Sequence, residues 1–137
     1  MKVAAVVGPS GSGKTTLLQE LIAELVAEGQ TVAAIKHTHH PLDDRDRGDT
    51  SLLLRAGADP VILAGDGEAI RFEGTQTSRV SYGAPSDLLQ TLGADIVLIE
   101  GFSQIHSWAR LELDATRRVG ATEARRILDR IWQQPPS

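Results

Sequence analysis

The chain has 137 residues, 41% hydrophobic and 23% charged, with a formal net charge of −4. That length fits one domain with a core of its own, and the acidic balance argues against a general nucleic-acid binder. Cysteine is absent, which excludes disulfides, thiolate metal sites and a cysteine nucleophile.

Taken in chain order, Lys2 to Val7 reads as a buried strand. Lys14 to Glu28 reads as a helix with an apolar stripe of Leu17, Leu18, Leu21, Ile22, Leu25 and Val26, and Gly29 suits the position after its end. Thr31 to Lys36 is a second strand, followed by a polar loop from His37 to Gly48 and a short helix from Asp49 to Ala56, which Gly57 ends. Val61 to Ala64 and Ala69 to Phe72 are strands joined by Gly65-Asp66-Gly67, a hairpin signal. Ser86 caps a helix running to Leu92, Asp95 to Glu100 is a strongly apolar strand, and Arg110 to Leu113 is an edge strand. A terminal helix spans Thr122 to Trp132, with Ala124, Ile127, Leu128 and Ile131 on one face. Strands alternating with helices predict an α/β fold with a mostly parallel sheet flanked by helices and an additional β-hairpin. No run of about 18 apolar residues is present to span a membrane. The first strand starts at once, so no signal peptide is expected and the cytoplasm is the expected compartment.

Between the first strand and the first helix stands Gly8-Pro9-Ser10-Gly11-Ser12-Gly13-Lys14-Thr15. This is the G-x-x-x-x-G-K-S/T phosphate-binding loop in its strand-to-helix context. Glycines at 8, 11 and 13 let the backbone turn its N–H groups inward, and with the helix N-terminus these form a positive concavity for phosphate oxygens. Lys14 is placed to reach the β and γ phosphates, Thr15 to ligate Mg²⁺, and Thr16 to lie near the α phosphate. The strand Asp95-Ile-Val-Leu-Ile-Glu100 looks like a Walker B strand, with Glu100 meeting the magnesium directly or through a water. Asp95, at the opposite end, reads as a structural turn or cap residue.

The segment after the second strand holds His37, His39 and His40, three of the four histidines of the chain, and is rich in aspartate and arginine. It reads as a loop over the triphosphate, with Asp49 near the magnesium and Arg45 or Arg47 on a phosphate or a partner. A transition-metal site on the three histidines is a second reading, weakened because strand alternation sends neighbours to opposite faces. A solvated acidic loop is the third. Guanine is often read by Asn-Lys-x-Asp, but the chain has no asparagine, so the residues do not choose between GTP and ATP. Trp108 and Trp132 read as packing residues and His106 as surface.

Three blocks together resemble the MobB family, the molybdopterin-guanine dinucleotide biosynthesis adaptor proteins: the loop with Val6 before it and Leu17-Leu18 after it, Ala33-Ala34-Ile35-Lys36-His37-Thr38-His39-His40, and Ile96-Val-Leu-Ile-Glu100-Gly101-Phe102. Gly48-Asp49-Thr50 and Arg55-Ala-Gly-Ala58 fall between them in the family's order, and the likeness covers about residues 3 to 102. It implies a single P-loop NTPase-like nucleotide-binding domain over residues 1–137 that binds GTP and Mg²⁺ and hydrolyses GTP weakly. It further implies a homodimer acting beside MobA, the guanylyltransferase that attaches GMP to molybdopterin. By the same resemblance Gly8, Pro9, Ser10, Gly11, Ser12, Gly13, Lys14, Thr15 and Thr16 hold the triphosphate, Thr15 and Glu100 serve the metal, and Lys14 and Glu100 carry any hydrolysis. Asp49 matches an aspartate of the family's Gly-Lys-Asp-Ser/Thr stretch, although here Gly48 precedes it directly. The chain is short for the family, so a reduced C-terminal contact surface is expected. A small-molecule kinase with Arg45 and Arg47 in a lid, and a metallochaperone-type GTPase using the histidines, are the alternatives. No residue stands out as a water-positioning group, so intrinsic turnover is expected to be slow.

Overall fold

The structure is a computed structural model that describes residues 1–43, 48–114, 116 and 118–133. Its elements are β1 (Lys2–Val7), α1 (Lys14–Ala27), β2 (Val32–His37), α2 (Gly48–Ala56), β3 (Val61–Ala64), β4 (Glu68–Glu73), β5 (Gln76–Ser81), α3 (Pro85–Leu89), β6 (Ile96–Glu100), β7 (Ala109–Glu112) and α4 (Ala121–Trp132). The strands form one sheet in the order β5-β4-β3-β2-β6-β1-β7. β1, β2, β3, β6 and β7 run parallel, and β4 and β5 extend the β3 edge as antiparallel neighbours.

Alternation along the central strands divides the core between the two sheet faces. Ala4, Val6, Val32, Ala34, Ile96 and Leu98 face one way and pack with Leu17, Leu18, Leu21 and Ile22 of α1, Leu53 of α2 and Leu128 of α4. Ala5, Ala33, Ile35, Val97 and Ile99 face the other way, under Leu88, Leu92, Phe102 and Trp108. Trp132 packs on the first cluster, and its indole N–H donates to the Val3 carbonyl at 3.2 Å. Both tryptophans are packing residues, as the sequence suggests.

The α1 stripe is buried through Leu25, but Val26 is 37% exposed, against expectation, and rests beside Gly57 at the end of α2. Gly29 follows α1 with φ 89°, and its N–H donates to the Val26 carbonyl at 3.0 Å. The hairpin signal is realised: Ala64 pairs with Ala69 across the 65–67 turn. β5 was not expected. All six of its residues are exposed, so it carries no apolar alternation and is held by its register with β4. α3 also departs from the sequence reading. Ala84, not Ser86, holds the N-cap position, with Pro85 as first helical residue and the Asp87 carboxylate accepting the Ala84 N–H at 2.9 Å. The helix stops at Leu89, where the Thr91 hydroxyl donates to the Leu88 carbonyl at 2.7 Å and a turn carries the chain to Leu92.

Asp95 and Thr31 tie the starts of β6 and β2 together. The Thr31 N–H donates to Asp95 Oδ2 at 2.9 Å, and the Asp95 N–H donates to Thr31 Oγ1 at 2.8 Å. This reciprocal pair gives Asp95 its structural role. Among the described residues no helix is long and apolar enough to cross a membrane.

Candidate functional site

The parallel strands all end on one side of the sheet, where open α/β sheets carry their ligand crevices. A cleft of about 610 Å³ lies there, lined by the glycine loop, the start of α1, the ends of β2 and β6, and Asp49. The loop is drawn tight over β1. A Cβ on Gly8 would lie 2.7 Å from the Leu113 carbonyl oxygen and 2.9 Å from Ser12 Oγ, so no side chain fits. The first backbone bond of α1 runs from the Leu17 N–H to the Gly13 carbonyl at 3.0 Å. The N–H groups of Lys14, Thr15 and Thr16 precede it and have no acceptor within the helix. No acidic residue offsets the positive end of α1 in its first turn.

Lys14 folds back over the loop, its ammonium donating to the Gly8 carbonyl at 2.6 Å and the Pro9 carbonyl at 3.2 Å. Ser10, Gly11, Gly13, Thr15 and Thr16 line the cleft. Ser12 does not. It is buried, and its Oγ has no hydrogen-bond partner among the described residues. Glu100, buried at the end of β6, accepts the Thr15 hydroxyl on Oε1 at 2.7 Å. Its other oxygen pairs with the Lys36 ammonium at 3.1 Å, and Lys36 is also paired with Asp49. Burial works to lower the Lys36 pKa, but the hydrogen bond it donates to Asp49 and the charge of Glu100 outweigh it and hold the ammonium above the ordinary lysine value.

Two carboxylates therefore converge on the Lys36 ammonium, and the Thr15 hydroxyl is bonded to one of them. That hard-oxygen set suits Mg²⁺, and the Lys36 ammonium supplies the positive charge here. Beside it, Gly101 turns with φ 102°, and a Cβ there would lie 2.9 Å from the His37 Cβ. Phe102 follows with φ 52°, and its ring stacks on His37 at 4.2 Å and 5°.

The profile of the family described as "Molybdopterin guanine dinucleotide synthesis protein B", MobB, matches residues 3–126. The chain belongs to the MobB family. The "Molybdopterin-guanine dinucleotide biosynthesis adapter protein" of Haemophilus influenzae is 44% identical over 101 residues, 72% of this chain and 56% of that protein. Its namesake in Escherichia coli K12 is 38% identical over 95 residues, 68% of this chain and 54% of that protein. The chain thus spans about half the length of the curated relatives it matches. The crystal structure of a MobB homologue from Bacillus stearothermophilus is similar with a TM-score of 0.50 and 28% identity, over 83% of this chain and 64% of that one. The family match reaches residue 126, beyond the limit near residue 102 set by the sequence motifs.

For a MobB chain, the sequence reading located the glycine loop, Thr15, Glu100 and Asp49 in one cleft but missed Lys36 as the group that joins them. The signal lies in the sheet: Lys36 of β2 and Val6 of β1 both stand in register with Glu100 of β6. Of the three loop histidines, His37 and His39 come together, with ring centroids 4.7 Å apart. Arg45 and Arg47 lie outside the described residues. His106 is a surface residue near Arg110, as expected.

Proposed function

We propose that this chain is a GTP-binding adaptor in molybdopterin-guanine dinucleotide synthesis, one P-loop nucleotide-binding domain that acts beside a MobA-type guanylyltransferase. Membership of the MobB family supports the pathway, and the observation that carries the nucleotide reading is the junction of Thr15, Glu100, Lys36 and Asp49 beneath the glycine loop. The backbone of Gly8, Pro9, Ser10, Gly11, Ser12 and Gly13 and the first turn of α1 would cradle the phosphates. Lys14 would leave the Gly8 and Pro9 carbonyls for the β and γ phosphate oxygens, and Thr16 lies on the α-phosphate side. Thr15 and Glu100 would hold Mg²⁺, with Asp49 beside it and Lys36 turned aside. The metal supplies electrostatic stabilisation of charge on the γ phosphate, in which Lys14 shares. The proposal includes a homodimer, a cytoplasmic location and handling of molybdopterin by the assembled pair.

Ser12 Oγ is buried, and Glu100 would be committed to the metal beside Thr15, so neither would orient a water for attack. Slow intrinsic turnover follows, below about 1 s⁻¹ without a partner. The reading is tested by measuring GTP and ATP affinities with Mg²⁺, with and without a MobA-type guanylyltransferase. Preference for GTP and tighter binding in the presence of the enzyme support it. Equal, partner-independent affinity for both overturns it.

A further inference from the structure

Beside the phosphate cleft, a second donor set converges from two parts of the chain. His37 ends β2, His39 follows two residues later, and Asp66 stands in the β3–β4 turn. His37 Nε2 and Asp66 Oδ1 are 3.1 Å apart, and one donor atom from each of the three residues falls within 4.8 Å of the others. Two atoms bound to one tetrahedral zinc at about 2.0–2.2 Å lie about 3.3 Å from each other, so the His37–Asp66 spacing already matches. His39 is exposed, with a ring nitrogen within 4.8 Å of both.

Three features distinguish this set from a casual surface cluster. The His37 ring is held flat against Phe102 at 4.2 Å, and Gly101 leaves the space for it, so the ring plane is fixed before any ion arrives. Asp66 is carried on a tight turn whose backbone bond runs from the Gly65 N–H to the Glu68 carbonyl at 2.8 Å. The Tyr82 hydroxyl also donates to the Gly65 carbonyl, fastening that turn to the residue after β5. Two imidazoles with one carboxylate favour a borderline transition ion over Mg²⁺, whose preference is for oxygen alone.

We propose that His37, His39 and Asp66 bind one divalent transition ion of the zinc, cobalt or nickel class at the rim of the cleft. Three protein ligands leave a fourth position for water or an oxygen donor. The site is separate from the Thr15–Glu100 junction and uses none of its residues. His40 is outside the set, so the ion is not held by the whole histidine run.

The test is titration of the full chain, free of nucleotide, with ZnCl₂ by calorimetry, and with CoCl₂ followed by visible absorption. One equivalent is expected to bind, with cobalt d–d bands of a tetrahedral nitrogen–oxygen site, and excess MgCl₂ should not displace it. His39→Ala and Asp66→Asn, both at exposed positions, should each weaken zinc binding by about tenfold or more, while His40→Ala and His106→Ala should not. Circular dichroism of each variant confirms that folding is kept. No stoichiometric binding overturns the proposal, as does binding that His39→Ala and Asp66→Asn leave unchanged, or that His40→Ala abolishes. GTP affinity measured separately on Asp66→Asn should match the wild type, which keeps a failure here distinct from a failure of the nucleotide reading.

Discussion

The Thr15 hydroxyl donates to Glu100 Oε1 at 2.7 Å across 85 residues of sequence, joining the first turn of α1 to the end of β6. If this pair is the magnesium seat, Thr15→Val should remove most of the gain in GTP affinity that MgCl₂ produces. A loss of about tenfold, or ~1.4 kcal/mol, is expected in titrations with the metal. Titrations in EDTA should be nearly unaffected. Equal losses in both conditions would assign Thr15 to the phosphate alone.

Lys14 lies over two loop carbonyls, and among the described residues it has no carboxylate partner. Its ammonium is therefore available to a triphosphate. Lys14→Ala should weaken GTP binding by about 100-fold or more, as the loss of charge-assisted hydrogen bonds to phosphate implies. Stability to urea should change little. Unchanged GTP affinity in this variant would remove the loop from the nucleotide site.

Gly101 has φ 102°, and an added Cβ would meet the His37 Cβ at 2.9 Å. Gly101→Ala therefore combines a strained backbone with a clash against β2. A destabilisation of about 1–3 kcal/mol is expected in urea denaturation. A cost below ~0.5 kcal/mol would mean that β2 and β6 separate more readily at this end than their packing implies.

The Asp95 carboxyl sits below its ordinary pKa, chiefly because the Thr31 N–H donates to it. A carboxyl lowered in the folded state adds stability that is complete above its unfolded value, about 3.9. That contribution is lost as the pH falls through the lower folded value. Wild type should thus lose stability on acidification below about pH 4 more steeply than Asp95→Asn, whose side chain does not titrate. Urea midpoints measured at a series of pH values check this, and parallel acid limbs for the two proteins would sink it.

What was legible in the sequence follows from how local each signal is. α1 announces itself through its apolar stripe and the glycine that follows it. β6 does so through four apolar residues running into Glu100. The β3–β4 hairpin was readable because Gly65-Asp66-Gly67 imposes a turn regardless of what surrounds it. β5 was not, because an edge strand with every residue exposed owes its shape to hydrogen bonding with β4 and not to its own composition. Thr15 and Glu100, which meet in the cleft, were singled out because each belongs to a motif. Lys36 was missed because its role depends on β2 lying beside β6, an adjacency between strands with α2, the β-hairpin and α3 between them in sequence. The Asp66–His37 approach has the same origin. It arises only once the β3–β4 turn is placed next to the end of β2.

The register of Lys36 and Val6 with Glu100 has a mechanical consequence. The spacing between the phosphate cradle and the acidic junction is gauged by ladder hydrogen bonds between adjacent strands, not by the connections that leave them. The spacing of Lys36 and Glu100 does not depend on the connection that leaves β2, whereas the position of Asp49 in α2 does. A one-residue slip of β6 would carry Glu100 to the opposite side of the sheet and dismantle the junction at once. Val6, Lys36 and Glu100 thus owe their alignment to the sheet itself, and Asp49 is the member of the junction that the connection from β2 must deliver.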